Sequence, residues 1–79
     1  MGVSNNRKEE ILNFLDMLRT DMGFMIYQKG EERMVSNERW TAKDFVQVIF
    51  EIENLDPEYE LKLFREVKNK FTDRFGNYI

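Results

Sequence analysis

Acidic side chains are concentrated near the middle of the chain, where five of the fifteen fall within ten positions. They are Glu51, Glu53, Asp56, Glu58 and Glu60. The order of Asn54, Asp56 and Glu58 is similar to the start of a calcium-binding loop. The pattern then fails, because Tyr59 stands where that loop needs glycine and Arg65 where it needs glutamate. The stretch therefore predicts either a solvated corner between two helices or an acidic surface that binds a basic partner.

Basic side chains follow directly, and four of them could contact phosphates from one helix: Lys62, Arg65, Lys68 and Lys70. Glu66 and Asp73 interrupt them, and the whole chain is acidic with a pI near 4.9. Domains dedicated to nucleic acid usually have a basic composition. A nucleic-acid-binding regulator is therefore kept as the alternative function, with nucleic acid the less favoured partner.

Catalytic residue types are scarce. The chain has no Cys and no His, so the commonest general base and the strongest nucleophile are missing. Neither Ser4 nor Ser36 stands in a nucleophile-elbow sequence, and the four glycines are too scattered to cradle a phosphate. We therefore predict that the protein is not an enzyme and has no catalytic residues, cofactor or metal.

The most apolar run, Trp40–Leu55, predicts a central helix over about 42–54. Thr41 and Asp44 have the spacing of a helix cap, and Trp40 and Phe45 have that of a hydrophobic staple. The helix is apolar on so much of its circumference that it must be covered from at least two sides.

Some of that apolar surface could remain for a partner or a second copy. The candidate partner-binding residues are Phe50, Val46, Glu51, Glu53, Asp56 and Glu58. On this interpretation Phe50→Asp should disrupt association, whereas Phe45→Asp should unfold the domain.

Two further helices flank the central one. Helix 1 is predicted over 7–22, after a flexible N-terminus at 1–5 and before Gly23, a natural helix stop. Helix 3 is predicted over 57–75, with Asp56 as its N-cap and Pro57 as its first residue.

The segment 24–36 is the ambiguous one. Aromatic and β-branched residues favour a strand at its start, and Lys29-Gly30 indicates a turn, so we predict a short β-hairpin. The alternative is an irregular loop with one helical turn. The predicted fold is thus a mainly α, three-helix single domain over 1–79, or a small α+β fold if the hairpin forms.

The bulk properties suggest a role in binding. Residues 31–60 carry three basic and nine acidic side chains, whereas residues 61–79 carry five basic and two acidic ones. No apolar run is long enough to span a bilayer, so we expect a cytoplasmic protein without membrane contact. A very small, acidic, aromatic-rich chain without catalytic residues looks like many phage- or plasmid-encoded proteins that block a host enzyme. We therefore predict a regulator or inhibitor that binds a protein partner and can form a homodimer.

Overall fold

The computed structural model describes the backbone of residues 3–79 and the side chains of residues 6–79. Across residues 3–79 the fold has four helices and no strand: α1 Val3–Met22, α2 Gln28–Ser36, α3 Ala42–Ile52 and α4 Leu61–Phe75. They form two compact units, one ending at Glu38 and the other running from Arg39 to Ile79. The prediction of a mainly helical fold is confirmed, although the number of helices is four rather than three.

In the first unit, α1 buries one apolar side. The fully buried side chains of this helix are Ile11, Phe14, Leu15 and Leu18. The helix ends at Met22, where the sequence places its end, and Gly23 follows with a φ of 73°. The helix begins at Val3 rather than at residue 7. Of the predicted flexible segment 1–5, residues 1 and 2 lie outside the described residues and residues 3–5 are helical.

The predicted β-hairpin at 24–36 is wrong. Its first half is extended, with Phe24 and Ile26 buried and Met25 and Tyr27 exposed in alternation, but its second half is the helix α2. Gln, Lys, Glu, Arg and Met are good helix formers, and together they outweigh the turn signal of Lys29-Gly30. Gly30 lies inside α2 and is buried on the same side as Met34, one helical turn later.

Arg19 takes the role that a partner strand would have had. Its Nε and Nη2 atoms donate hydrogen bonds to the Ile26 carbonyl oxygen at 3.1 and 2.6 Å. This carbonyl, in an extended segment without a partner strand, thus has hydrogen-bond donors. The same guanidinium group pairs with Asp16 on α1 and with Glu31 on α2. One half-buried side chain therefore ties together three segments of the first unit.

In the second unit, the start of α3 is capped as predicted. The Asp44 backbone N–H donates to Thr41 Oγ1 at 3.2 Å. The rings of Trp40 and Phe45 meet edge to face at 5.7 Å, which is the contact expected of a hydrophobic staple. Cap and staple together fix the residue at which the helix begins.

Aromatic rings join α3 to α4. Phe45, near the start of α3, packs on Phe71 with ring centroids 4.9 Å apart. Phe50, near the end of α3, packs on Phe64, near the start of α4, at 5.3 Å. The two helices are therefore antiparallel and form a helical hairpin.

The C-terminal tail pairs with the segment that leads into α3. Trp40 and Ile79 exchange two backbone hydrogen bonds, and the Ala42 N–H donates to the Asn77 carbonyl. Thr41 and Tyr78 form an antiparallel bridge between these segments. The tail thus docks on its own unit and adds three backbone hydrogen bonds to the entry of α3.

We predict that Arg19→Met lowers the free energy of unfolding by about 2 kcal/mol, since it removes charge-assisted hydrogen bonds and leaves the half-buried Glu31 without its cation. Arg19→Lys should lose less, because it keeps the charge but not the planar fork. Urea unfolding followed by far-UV circular dichroism measures both. Trp40, the single Trp, reports on the second unit by fluorescence. Unchanged unfolding of Arg19→Met in both signals would contradict the prediction.

Candidate protein-binding surface

The corner between α3 and α4 begins with a defined helix end. The Asn54 N–H donates to the Glu51 carbonyl at 3.0 Å and the Leu55 N–H donates to the Phe50 carbonyl at 2.8 Å. This pair of bonds is a Schellman motif, and it requires a left-handed residue, here Asn54 with a φ of 60°. The motif turns the chain sharply away from α3.

The second part of the corner is a single turn that precedes α4. Asp56 Oδ1 accepts a hydrogen bond from the Glu58 N–H at 2.9 Å, and the Asp56 carbonyl accepts one from the Glu60 N–H at 2.8 Å. Asp56 thus caps this turn, but the prediction that it is the N-cap of helix 3 is wrong, because Glu60 holds that position in α4 with a non-helical φ of −102° and ψ of 50°. The capped turn ends there, so α4 begins at Leu61 rather than at residue 57.

Two large apolar side chains stand out from this corner. Tyr59 is 85% exposed and Leu61 is 49% exposed. The exposed carboxylates of Asp56 and Glu58 lie in the same turn. We call Asp56, Glu58, Tyr59 and Leu61 the corner patch. Exposed apolar side chains with charged neighbours are features that a protein-binding site could use, so we take this patch as the candidate.

The predicted apolar contacts do not belong to this surface. Phe50 and Val46 have no exposed area, because the helical hairpin brings the Phe64 ring against Phe50 and encloses that side of α3. The large apolar share of α3 therefore indicates residues that belong to the core, and not apolar surface that remains for a partner.

The acidic candidates divide between surface and partial burial. Glu51, Asp56 and Glu58 are exposed, whereas Glu53 is half-buried. The sequence prediction placed Tyr59 and Leu61 inside helix 3, over 57–75, and did not single them out. They are exposed because α4 begins later than predicted. The Asp-Pro pair, which is typical of a helix start, does not indicate this later start.

The four basic candidates do not share one face. Arg65 and Lys68 follow Leu61 at spacings of four and seven residues, so these three lie on one exposed side of α4. Lys62 precedes Arg65 by three residues and lies beside it, but it also lies one turn before the acidic Glu66. Lys70 is half-buried, so the proposed phosphate-binding face is divided.

Other exposed aromatic and groove features are less suited to binding. Tyr78 is 54% exposed, but Arg39 lies over its ring at 5.0 Å from the centroid. A groove on the first unit has a volume of about 240 Å³, below the usual size of ligand pockets, and is lined by Lys8, Leu12, Gln28, Glu31, Glu32 and Val35. The corner patch is therefore a better candidate than either of these two features.

Within the described part of the chain, no group of three His, Cys, Asp or Glu side chains is arranged to hold a metal ion. No helix of residues 3–79 combines the length and the apolar character needed to cross a bilayer. Comparisons with protein families, with curated proteins and with solved structures gave no match.

We predict that Phe50→Asp and Phe45→Asp both abolish folding, because each places a charge at a fully buried position that packs on another aromatic ring. The cost of several kcal/mol exceeds what a core of this size can supply. Far-UV circular dichroism measures the loss of helix. Gln47→Asp, at an exposed position of the same helix, should stay folded. A folded Phe50→Asp variant with altered association would restore the partner-contact interpretation of this residue.

Asn54 and Asn69 give a second prediction, with opposite orders of Gly and Ala. At Asn54, Gly should be more stable than Ala by about 1 kcal/mol, since a left-handed φ strains any residue with a Cβ atom. At Asn69, which is exposed inside α4, Ala should be the more stable by about 1 kcal/mol. Thermal or urea unfolding of the four variants measures both differences. The same order at both positions would show that the Schellman motif is not formed.

Proposed function

We propose that this protein is a non-enzymatic interaction module that regulates or inhibits a partner protein by binding it through the corner patch. The observation that carries the proposal is the exposure of Tyr59 at 85% beside the exposed carboxylates of Asp56 and Glu58. Tyrosine is among the residues that most often dominate binding energy at protein interfaces, since it buries a large rigid surface at little entropic cost.

The chemistry of the patch indicates the kind of partner. Carboxylates around an exposed ring favour a surface that offers arginine or lysine side chains with an apolar contact between them. Charge complementarity of this kind speeds encounter and rejects acidic surfaces. A basic partner protein is therefore the expected occupant, and the regulator or inhibitor role follows from a chain that binds without chemistry of its own.

The fold gives the patch a firm base. Along the chain, Tyr59 and Leu61 lie between Asn54 of the Schellman motif and Phe64, whose ring packs on Phe50. The turn itself is held by two hydrogen bonds to Asp56. Little ordering is therefore required on binding, which leaves more of the interaction energy for affinity.

We predict that Tyr59→Ser weakens partner binding by at least about tenfold, the scale of an interface aromatic residue. The matched control is Tyr27→Ser, which removes another exposed tyrosine, 67% exposed, from the first unit and should bind normally. Affinity capture from the source cells with the three proteins, read by quantitative mass spectrometry, identifies proteins that depend on Tyr59. Titration of the purified partner then gives the affinity.

If the wild type and the two variants captured the same proteins in equal amounts, the proposal that the corner patch is the binding site would be contradicted. The alternative function has its own readout. Binding to duplex DNA at low salt that is lost on Arg65→Glu would favour a nucleic-acid-binding regulator instead.

A further inference from the structure

The groove on the first unit lies between α1 and α2, and each helix forms one wall of it. Its lining residues are Lys8 and Leu12 from α1, and Gln28, Glu31, Glu32 and Val35 from α2. Residues three, four and seven positions apart lie on the same face of a helix, so each set occupies a single face. Leu12 and Val35 are half-buried, and they supply aliphatic surface to the groove.

The α2 wall of the groove is fixed in place without a ligand. Arg19 of α1 pairs with Glu31. Gly30 and Met34, which do not line the groove, are buried and anchor the helix in the first unit. The groove is therefore formed in advance, and the Glu31 carboxylate already has a cation.

The two walls carry opposite charges that are not neutralised within the protein. Lys8 on α1 and Glu32 on α2 are both exposed, and among residues 6–79 neither forms an ion pair. An ammonium group on one wall and a carboxylate on the other thus face the same groove, next to aliphatic surface. The complementary ligand carries a carboxylate, an ammonium group and an aliphatic body.

We propose that this groove binds a free aliphatic amino acid such as leucine. Its carboxylate pairs with Lys8, its ammonium group pairs with Glu32, and its side chain contacts Leu12 and Val35. The volume of about 240 Å³ equals that of about eight water molecules, which suits an amino acid and is too small for a drug-sized ligand. A residue within a peptide chain lacks both charges, so the free amino acid is the better match.

The binding is expected to be weak. Lys8 and Glu32 are exposed, and exposed ion pairs each contribute little. A dissociation constant on the order of millimolar is therefore expected, and it should rise with salt as the charges are screened. The inference does not rest on the proposed function, because the groove belongs to the first unit and the corner patch to the second.

Titration of the full chain with leucine, followed by two-dimensional ¹⁵N NMR, tests the proposal. Saturable shifts are expected for the amide signals of α1 and α2 that surround the groove. Three further probes each remove one part of the ligand: N-acetyl-leucine lacks the ammonium charge, leucinamide lacks the carboxylate, and glycine lacks the aliphatic side chain. Each should bind about threefold or more weakly than leucine.

Two variants assign the charges to their walls. Lys8→Met should weaken leucine binding by about threefold but leave leucinamide binding unchanged, since leucinamide has no carboxylate to lose its partner. Glu32→Gln should weaken leucine binding to the same extent and leave N-acetyl-leucine binding unchanged. The matched controls, Lys29→Met and Glu38→Gln, make the same substitutions at exposed positions of the first unit that do not line the groove, and they should bind leucine as the wild type does.

The backbone NMR signals of each variant also show whether it is folded. A wild-type protein without saturable shifts up to the solubility limit of leucine overturns the proposal. Equal affinity for leucine, N-acetyl-leucine and leucinamide overturns it as well, because binding would then use only the aliphatic surface. Folded Lys8→Met and Glu32→Gln variants that bind leucine as tightly as the wild type would exclude the proposed charge pairing.

Discussion

Packing of phenylalanine rings between α3 and α4 is the constraint on which the second unit and its surface depend. The Phe50–Phe64 contact lies next to the corner and the Phe45–Phe71 contact lies at the far end, so the two helices are held at both ends. Aromatic pairs contribute area burial and a preferred ring geometry. With the helix ends fixed in this way, the connecting segment has a defined span to cross. Tyr59 lies in this connecting segment and is 85% exposed.

The first unit solves a different problem, which is the backbone of an extended segment without a sheet. Residues 24–27 alternate between buried and exposed side chains as a strand would. Arg19 supplies donors to the Ile26 carbonyl and binds Glu31 of α2 with the same group. Buried polar groups need partners, and here a charged side chain replaces a neighbouring strand. Polar contacts thus fix the segments of the first unit in place, as ring packing fixes the helices of the second unit.

Sequence patterns predicted the features that arise from local chemistry. The end of α1 at Gly23, the cap at Thr41 and the staple between Trp40 and Phe45 involve residues close in the chain, and all three are present. Features that depend on distant contacts were missed. No local pattern reveals the role of Arg19, because Ile26 and Glu31 lie seven and twelve positions away from it. Residues 24–27 are extended, as their composition predicts. The segment predicted to pair with them forms a helix instead, because its residues have high helix propensity.

The candidate site shows the same division. The acidic composition of the corner was readable from the sequence, and Asp56, Glu58 and Glu51 are exposed. The apolar part was misplaced, since Phe50 and Val46 are core and Tyr59 and Leu61 are surface. Apolar residues inside a well-formed helical stripe are needed to close a small core, so they are rarely free for a partner. An apolar residue in a short turn is not needed to close the core. The core does not use the ring at position 59, which is 85% exposed, so this ring is available for the binding role that we propose.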